Sequence, residues 1–220
     1  MSRDVNLYAA CDKAIQGMDR ENLEAFGRLK MSKWDEVNLI RTVGAMYRRM
    51  ARKAKRRYYE VAFEAYLLGL WMCGISGKKA HKMAEKAITD DWIDEWLEET
   101  DFVTLYRFNS ETERKAYRLA EALEVSEDRN LEIEKALRAW IRQLGQYAIN
   151  FTDYAVIKAF TDAGVEYVRW VTMQDERVCV ECRGYDGNVY KIDEVPPKHW
   201  NCRCHLSPAT KEDFNSREAD

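Results

Sequence analysis

Met173 to Cys204 reads MQDERVCVECRGYDGNVYKIDEVPPKHWNCRC. It holds four of the chain's six cysteines, one of its three histidines, two of its three prolines and the Asp186-Gly187 dipeptide. Cys179 and Cys182 form a C-x-x-C pair, a spacing that lets two thiolates face one centre when the backbone turns between them. His199, Cys202 and Cys204 form H-x-x-C-x-C, with His205 directly after. A tetrahedral zinc site takes four N or S ligands, often as two local pairs brought together by the fold. The first pair is plain; the second is over-supplied. The preferred set is Cys179, Cys182, His199 and Cys204, with Cys202 a close substitute and His205 a further competitor. Four protein ligands leave no open position, so the expected role of the zinc is structural.

Three other readings of the same cysteines stay open. Disulfides need an oxidising compartment, yet the start, MSRDVNLYAACDK, lacks a signal-peptide core. A redox-active C-x-x-C calls for a thioredoxin-like βαβ pattern, which the surroundings do not offer. Reduced, merely packed cysteines are the third. The segments 165–172 (VEYVRWVT) and 188–192 (NVYKI) are rich in Val and aromatics and read as strands. Asp186-Gly187 between them is a hairpin signal, because Gly tolerates the positive φ such turns need. The expected unit is a small β-hairpin, ribbon-like, closed by Pro196-Pro197 and the returning HWNCRC segment. Asp175, Arg177, Asp186 and Asn201 are expected to hold its loops by hydrogen bonds and ion pairs.

The combination of Trp170, Thr172, Asp175, Arg177, Val178, Cys179 and Cys182, then Asp186-Gly187, then Pro196, Pro197, His199, Asn201, Cys202, Arg203 and Cys204 resembles the C-terminal domain of phage head-morphogenesis (minor head) proteins, the Mu F-like family. The good match is read over about 137–208. Phe151-Thr152-Asp153 stands where the family often shows an Arg-Thr-Glu type helix. Some relatives carry a C-terminal toxin or ADP-ribosyltransferase domain, and a chain ending at Asp220 looks like the bare structural version. The resemblance implies a minor head protein that binds the portal and resides inside the capsid of the virion, after assembly in the host cytoplasm. It further implies a part in capsid assembly, DNA packaging or DNA ejection. Scaffold or major capsid protein and packaged double-stranded DNA are further partners it brings into view.

The chain's 220 residues allow one or two domains, and 46% hydrophobic with 12% aromatic residues is enough for a core. A formal charge of -3 gives the whole chain no bias toward nucleic acid or acidic membranes. The longest apolar runs are too short for a transmembrane helix. Proline is absent before Pro196, which favours long helices upstream. The fold class expected is mainly α: long amphipathic helices carrying a small C-terminal β-hairpin, zinc-ribbon-like knuckle. The division expected is a helical region 1–125 for portal or partner docking, a Mu F-like domain 126–208, and a frayed polar tail 209–220.

Along the chain, helices are expected over 2–18 and 19–31, the second turning Leu23, Phe26 and Leu29 inward. A long helix over 33–73 carries Tyr47, Met50, Ala51, Ala54, Tyr58, Val61, Ala62 and Ala65 at 3.6-residue spacing. Helices follow over 78–88 and 90–99, the latter with Trp92 and Trp96 read as core. Ser110-x-x-Glu113 reads as a capping box opening a helix over 111–124. Ser126 and Asp128 start a last long helix that stops at Gly164, with an apolar face of Leu131, Leu137, Trp140, Ile141, Leu144, Ala148, Phe151, Ala155 and Phe160.

Arg48, Arg49, Arg52, Lys53, Lys55, Arg56 and Arg57 place seven cations in ten residues. They form either a footprint for DNA phosphates or an acidic partner, or a solvated face paired with nearby Glu. The alternative to a head protein is thus a zinc-ribbon DNA-binding protein using this belt. An enzyme is not expected. The order needed by a zinc deaminase is absent, as is the His pair of an HNH nuclease. Gly-rich phosphate loops, nucleophile elbows and H-E-x-x-H are absent too.

Overall fold

The computed structural model describes residues 8–31, 36–99, 108–199 and 202–216. Among them eight helices and three strands follow in order: α1 (Ala9–Met31), α2 (Glu36–Met72), α3 (Gly77–Ala87), α4 (Asp90–Glu99), α5 (Phe108–Val125), α6 (Arg129–Asp162), β1 (Tyr167–Val171), α7 (Val180–Tyr185), β2 (Val189–Lys191), β3 (His205–Ala209) and α8 (Lys211–Asn215). The protein is mainly helical with a small C-terminal antiparallel sheet and a cysteine cluster, the class expected from the sequence. No described helix is long and apolar enough to cross a membrane.

The chain divides into two compact units. One comprises Cys11–Val61 and Thr89–Ala148. Its core is aromatic. Tyr47 packs edge-on against Trp140 (5.0 Å between ring centroids) and Phe26 (5.8 Å), and Phe108 stacks on Trp140 and meets Tyr147 at 5.1 Å. The α2 stripe read from periodicity is buried at all eight positions. Buried Tyr58 donates its hydroxyl to the Leu144 carbonyl, so its polar tip is satisfied.

Several local expectations fail here for physical reasons. One continuous α1 replaces two helices, because Met18 and Asn22 are both buried across the expected break. Leu23 is exposed, whereas Phe26 and Leu29 are buried as expected. Ser110 caps nothing: α5 begins at Phe108, whose ring sits in the aromatic core, so the helix starts before the capping sequence. Glu111, almost fully buried, instead accepts from Nε and Nη2 of Arg114, both at 2.7 Å. On α6, Leu131 faces outward and Ile133 takes the inward position. On α4, Ile93 and Leu97 are the buried residues, while Trp92 and Trp96 are half-buried with rings 6.1 Å apart. The stretch 102–107 lies outside the described residues.

The other unit takes in the chain up to Ala10, Ala62–Ile88 and Ile149–Asp220. Here the C-terminal part of α2 meets the C-terminal part of α6 at Gly69. A Cβ on Gly69 would lie 2.7 Å from Ala159 Cβ and 3.3 Å from the Val156 carbonyl oxygen. Overpacking of that kind costs about 1–3 kcal/mol. Gly69→Ala is therefore expected to lower the melting temperature by several degrees in a circular-dichroism melt, and Ala159→Gly in the same chain to restore most of it. An unchanged melting temperature in the single variant would refute the close approach. Both helices end on a left-handed glycine. Gly74 (φ 79°) follows α2 and Gly164 (φ 78°) follows α6, and the amide directly after each glycine, Ile75 and Val165, bonds back to the Leu70 and Phe160 carbonyls at 2.9 Å.

The sheet order is β2-β1-β3, all antiparallel. The strands expected at 165–172 and 188–192 are β1 and β2, in register Val168↔Tyr190. Val168, Trp170, Val189 and Leu206 form its buried face. The third strand is a correction. The segment after Cys204 does not merely return; it pairs along the whole of β1, Trp170 opposite Leu206 and Tyr167 opposite Ala209. The polar tail is also corrected as far as residue 216. Thr210 and Asp213 make a reciprocal capping box that starts α8, Phe214 lies 5.1 Å from the Tyr167 ring, and Arg169 reaches Asp213 at 2.8 Å.

The Asp213 carboxyl is held below the ordinary carboxylate range by the Thr210 amide, then the Thr210 hydroxyl and the Arg169 charge. With its folded pKa depressed, its contribution is complete above the unfolded value of about 3.9 and is lost as pH falls through the lower folded value. The Phe214–Tyr167 contact, followed by NMR, is expected to persist at pH 5 and weaken below about pH 3.9. Asp213→Asn should weaken it at pH 5 and remove most of its pH dependence.

Candidate metal centre

The loop 172–178 leaves β1, turns through Gln174 at φ +52°, and is tied down at both ends. Asp186 accepts the Thr172 amide at 2.8 Å. Asp175 accepts the Arg177 amide at 3.1 Å and takes Arg203 through both its oxygens, at 2.7 and 2.8 Å. That bidentate pair holds the carboxyl of Asp175 below the usual range and fastens the loop to the segment carrying Cys202 and Cys204. Of the four residues expected to hold the loops, Asp175 and Asp186 do so with their side chains, and Asn201 lies outside the described residues.

The C-x-x-C pair does not sit in a hairpin turn. Cys179 is the N-cap of α7, its Sγ accepting the Cys182 amide at 3.3 Å, and Cys182 lies in the first turn. The short helix between β1 and β2 is why the unit is not a simple ribbon. Asp186-Gly187 does turn the chain, with Gly187 at φ +76°, but it joins α7 to β2 rather than strand to strand. A helix N-terminus favours thiolate through its free N–H groups. Accordingly the Cys179 thiol is drawn below its ordinary value, first by the Cys182 amide and then by Cys182 and His199 side chains. Burial pushes Cys182 up, to about 12. The Cys204 thiol bonds to Cys202, which lowers Cys202 and raises Cys204.

His199 Nε2 lies 3.3 Å from Cys179 Sγ and 3.2 Å from Cys182 Sγ, and Cys182 Sγ lies 3.8 Å from Cys202 Sγ. The donors form two overlapping triads, Cys179–Cys182–His199 and Cys182–Cys202–Cys204, each within 4.8 Å, with Cys182 common to both. All six cysteines of the chain are free thiols. Two thiolates on one tetrahedral zinc, at Zn–S of about 2.3 Å, stand roughly 3.8 Å apart, and a thiolate and an imidazole roughly 3.5 Å apart. The three measured separations lie within a few tenths of an ångström of those edges, so this donor set could hold a metal ion. All five predicted ligands are brought together. His205, the other competitor, is in neither triad; it starts β3 and lies beside Tyr8, Asp153 and Lys198.

The family model described as Phage Mu protein F like protein matches residues 75–207, three-fifths of the chain and the whole of this cluster. The chain belongs to the Mu F-like family. No curated protein and no solved structure matches it. The family is one of phage head proteins, so membership points to head morphogenesis and to partners in virion assembly.

One part of the Mu F-like site had no clear signal in the sequence. Lys198 Nζ donates to Asp153 Oδ1 and to the Cys204 carbonyl, both at 2.6 Å, and the Tyr8 hydroxyl lies 2.8 and 3.0 Å from the same two oxygens. Asp153 comes from α6, and Lys198 and Cys204 flank the ligand loop. Burial raises the Asp153 carboxyl, opposed first by the Lys198 charge and then by the Lys198 and Tyr8 hydrogen bonds.

The basic belt also takes definite shape. Five of its seven cations face carboxylates: Arg48 with Glu113, Lys53 with Glu21, Lys55 with Asp94, Arg56 with Glu60, and Arg57 with Glu21 and Glu60. Arg49 and Arg52 have no carboxylate partner among the described residues.

Proposed function

We propose that this chain is a minor head protein that binds the portal, sits in the capsid interior and aids DNA packaging or ejection. The observation that carries the reading is the family match over 75–207 with an assembled Cys/His cluster inside it. In this reading one zinc staples the C-terminal knuckle through Cys179, Cys182, His199 and a fourth thiolate. We take Cys202, 3.8 Å from Cys182, as that fourth ligand, and keep Cys204, which the sequence spacing put first, as the alternate. The metal supplies cross-linking and no chemistry. A three-stranded sheet buries little apolar surface and gains most from such a staple.

The helical region supplies docking surface, and the ion pairing of the belt supports a protein partner over DNA. Duplex binding draws its affinity from free cations that displace counterions from phosphates, and most of these are already matched. The test is mass spectrometry of purified heads, with and without a portal deletion. Recovery of the chain in a few copies per head, lost with the portal, is the expected result. Steeply salt-dependent binding to duplex DNA that disappears in Arg52→Gln/Arg56→Gln/Arg57→Gln, with no chain in heads, would overturn it.

A further inference from the structure

Beside the belt, α1 and α2 leave a groove of about 530 Å³ between them. Leu29 and Met50 are buried in its floor, and Met46 is half-buried there. Arg41 and Arg49 stand on its α2 side. They are eight residues apart, about 12 Å along the helix. The carboxylates at the groove are already engaged, Glu24 by Arg28 and Glu21 by Lys53 and Arg57. Arg41 donates to the neutral Asn38 side chain, and neither Arg41 nor Arg49 has a carboxylate partner among the described residues. Among the described residues the groove is therefore an apolar trough with two guanidinium groups that no carboxylate faces, two turns apart on one rim.

We infer that this groove docks an acidic amphipathic helix of another head protein. The apolar floor takes one or two bulky side chains at i and i+4, and carboxylates about two turns apart on the helix meet Arg41 and Arg49 bidentately. Nucleic acid fits poorly, because a phosphate backbone has nothing to place against Leu29, Met46 and Met50. The inference rests on the head-protein reading for the identity of the partner, not for the chemistry of the trough.

The experiment places a photo-reactive benzoylphenylalanine in the full chain, at Met46 and separately at exposed Ala45, in cells that make all head proteins of the parent phage. After irradiation, cross-links from cells are mapped by mass spectrometry, and purified heads are assayed for the chain in parallel. The expected product joins either probe to an acidic, helix-periodic segment of one other head protein. Arg41→Glu/Arg49→Glu is expected to cut its yield roughly tenfold or more while the circular-dichroism spectrum is unchanged. Cross-links to DNA, to a second copy of this chain or to nothing, or a yield indifferent to the charge reversal, overturn the groove assignment. A chain absent from heads overturns the head-protein reading, whatever the cross-link shows. A chain present in heads without the cross-link overturns the groove alone.

Discussion

Cys182→Ser is expected to abolish metal binding and to melt the knuckle, the largest effect of any single substitution here. Cys182 is the donor shared by both triads, so its loss leaves neither with three ligands. The parent, purified under reducing conditions without chelator, should carry about one zinc per chain and the variant almost none. Structural zinc contributes roughly 10–16 kcal/mol to the folding of zinc-finger peptides at neutral pH. The effect here should be smaller, because Val168, Trp170, Val189 and Leu206 give the sheet a core of its own. It should still exceed a typical core truncation of about 2–5 kcal/mol. The readouts are elemental analysis, amide exchange in β1–β3, and the near-ultraviolet signal of buried Trp170. Cys202→Ser and Cys204→Ser then separate the two candidates for the fourth position, since only the true ligand changes the visible spectrum of the cobalt-substituted protein. A well-folded parent without metal would remove the zinc site and leave these cysteines as packed thiols.

The helices and the ligand set were legible because both are written in local spacing. A 3.6-residue stripe on α2, the glycine stop at Gly164, and C-x-x-C with H-x-x-C-x-C need no knowledge of distant residues. What was not legible depends on what lies opposite. HLSPA has no marked strand propensity and carries a proline; it is a strand because β1 offers it a full edge, with Pro208 in an edge strand, where proline is tolerated. The capping-box motif at Ser110 was overridden by the burial of Phe108, and the apparent break in α1 by the burial of Met18 and Asn22. The belt shows the same limit for charge: seven cations in ten residues look like a phosphate footprint until Glu21, Asp94 and Glu113, remote in sequence, are placed against them. Lys198 was hidden for a related reason. Nothing in PPKHW marks the lysine as buried, because its partner lies forty-five residues away.

Lys198→Met is expected to destabilise the unit that holds the sheet by about 2–4 kcal/mol, somewhat below the roughly 3–5 kcal/mol of breaking a fully buried ion pair, because this pair is partly buried. Lys198 and Asp153 expose only 16% and 14% of their side chains, so the Asp153 carboxylate would be left in a nearly dry site with the Tyr8 hydroxyl. The Cys204 carbonyl would lose a donor at the same time, and with it the link between α6 and the ligand loop. For a chain of this size the shift is roughly 2–4 °C per kcal/mol, so a fall of about 10 °C is expected in the transition that melts the sheet. The sign of the pH dependence follows from the raised carboxyl. A group whose folded pKa lies above its unfolded value stabilises fully below about 3.9 and loses that contribution as pH rises through the folded value. Without Lys198 the carboxyl rises further, so the gap between variant and parent should narrow as pH falls toward the unfolded value of about 3.9. The double change Lys198→Met/Asp153→Leu removes both charges together and should recover most of the lost stability, since an apolar pair of similar volume carries no desolvation penalty. Equal melting temperatures for Lys198→Met and the parent would show that the pair is solvated and contributes no more than an ordinary surface contact of about 0–1 kcal/mol.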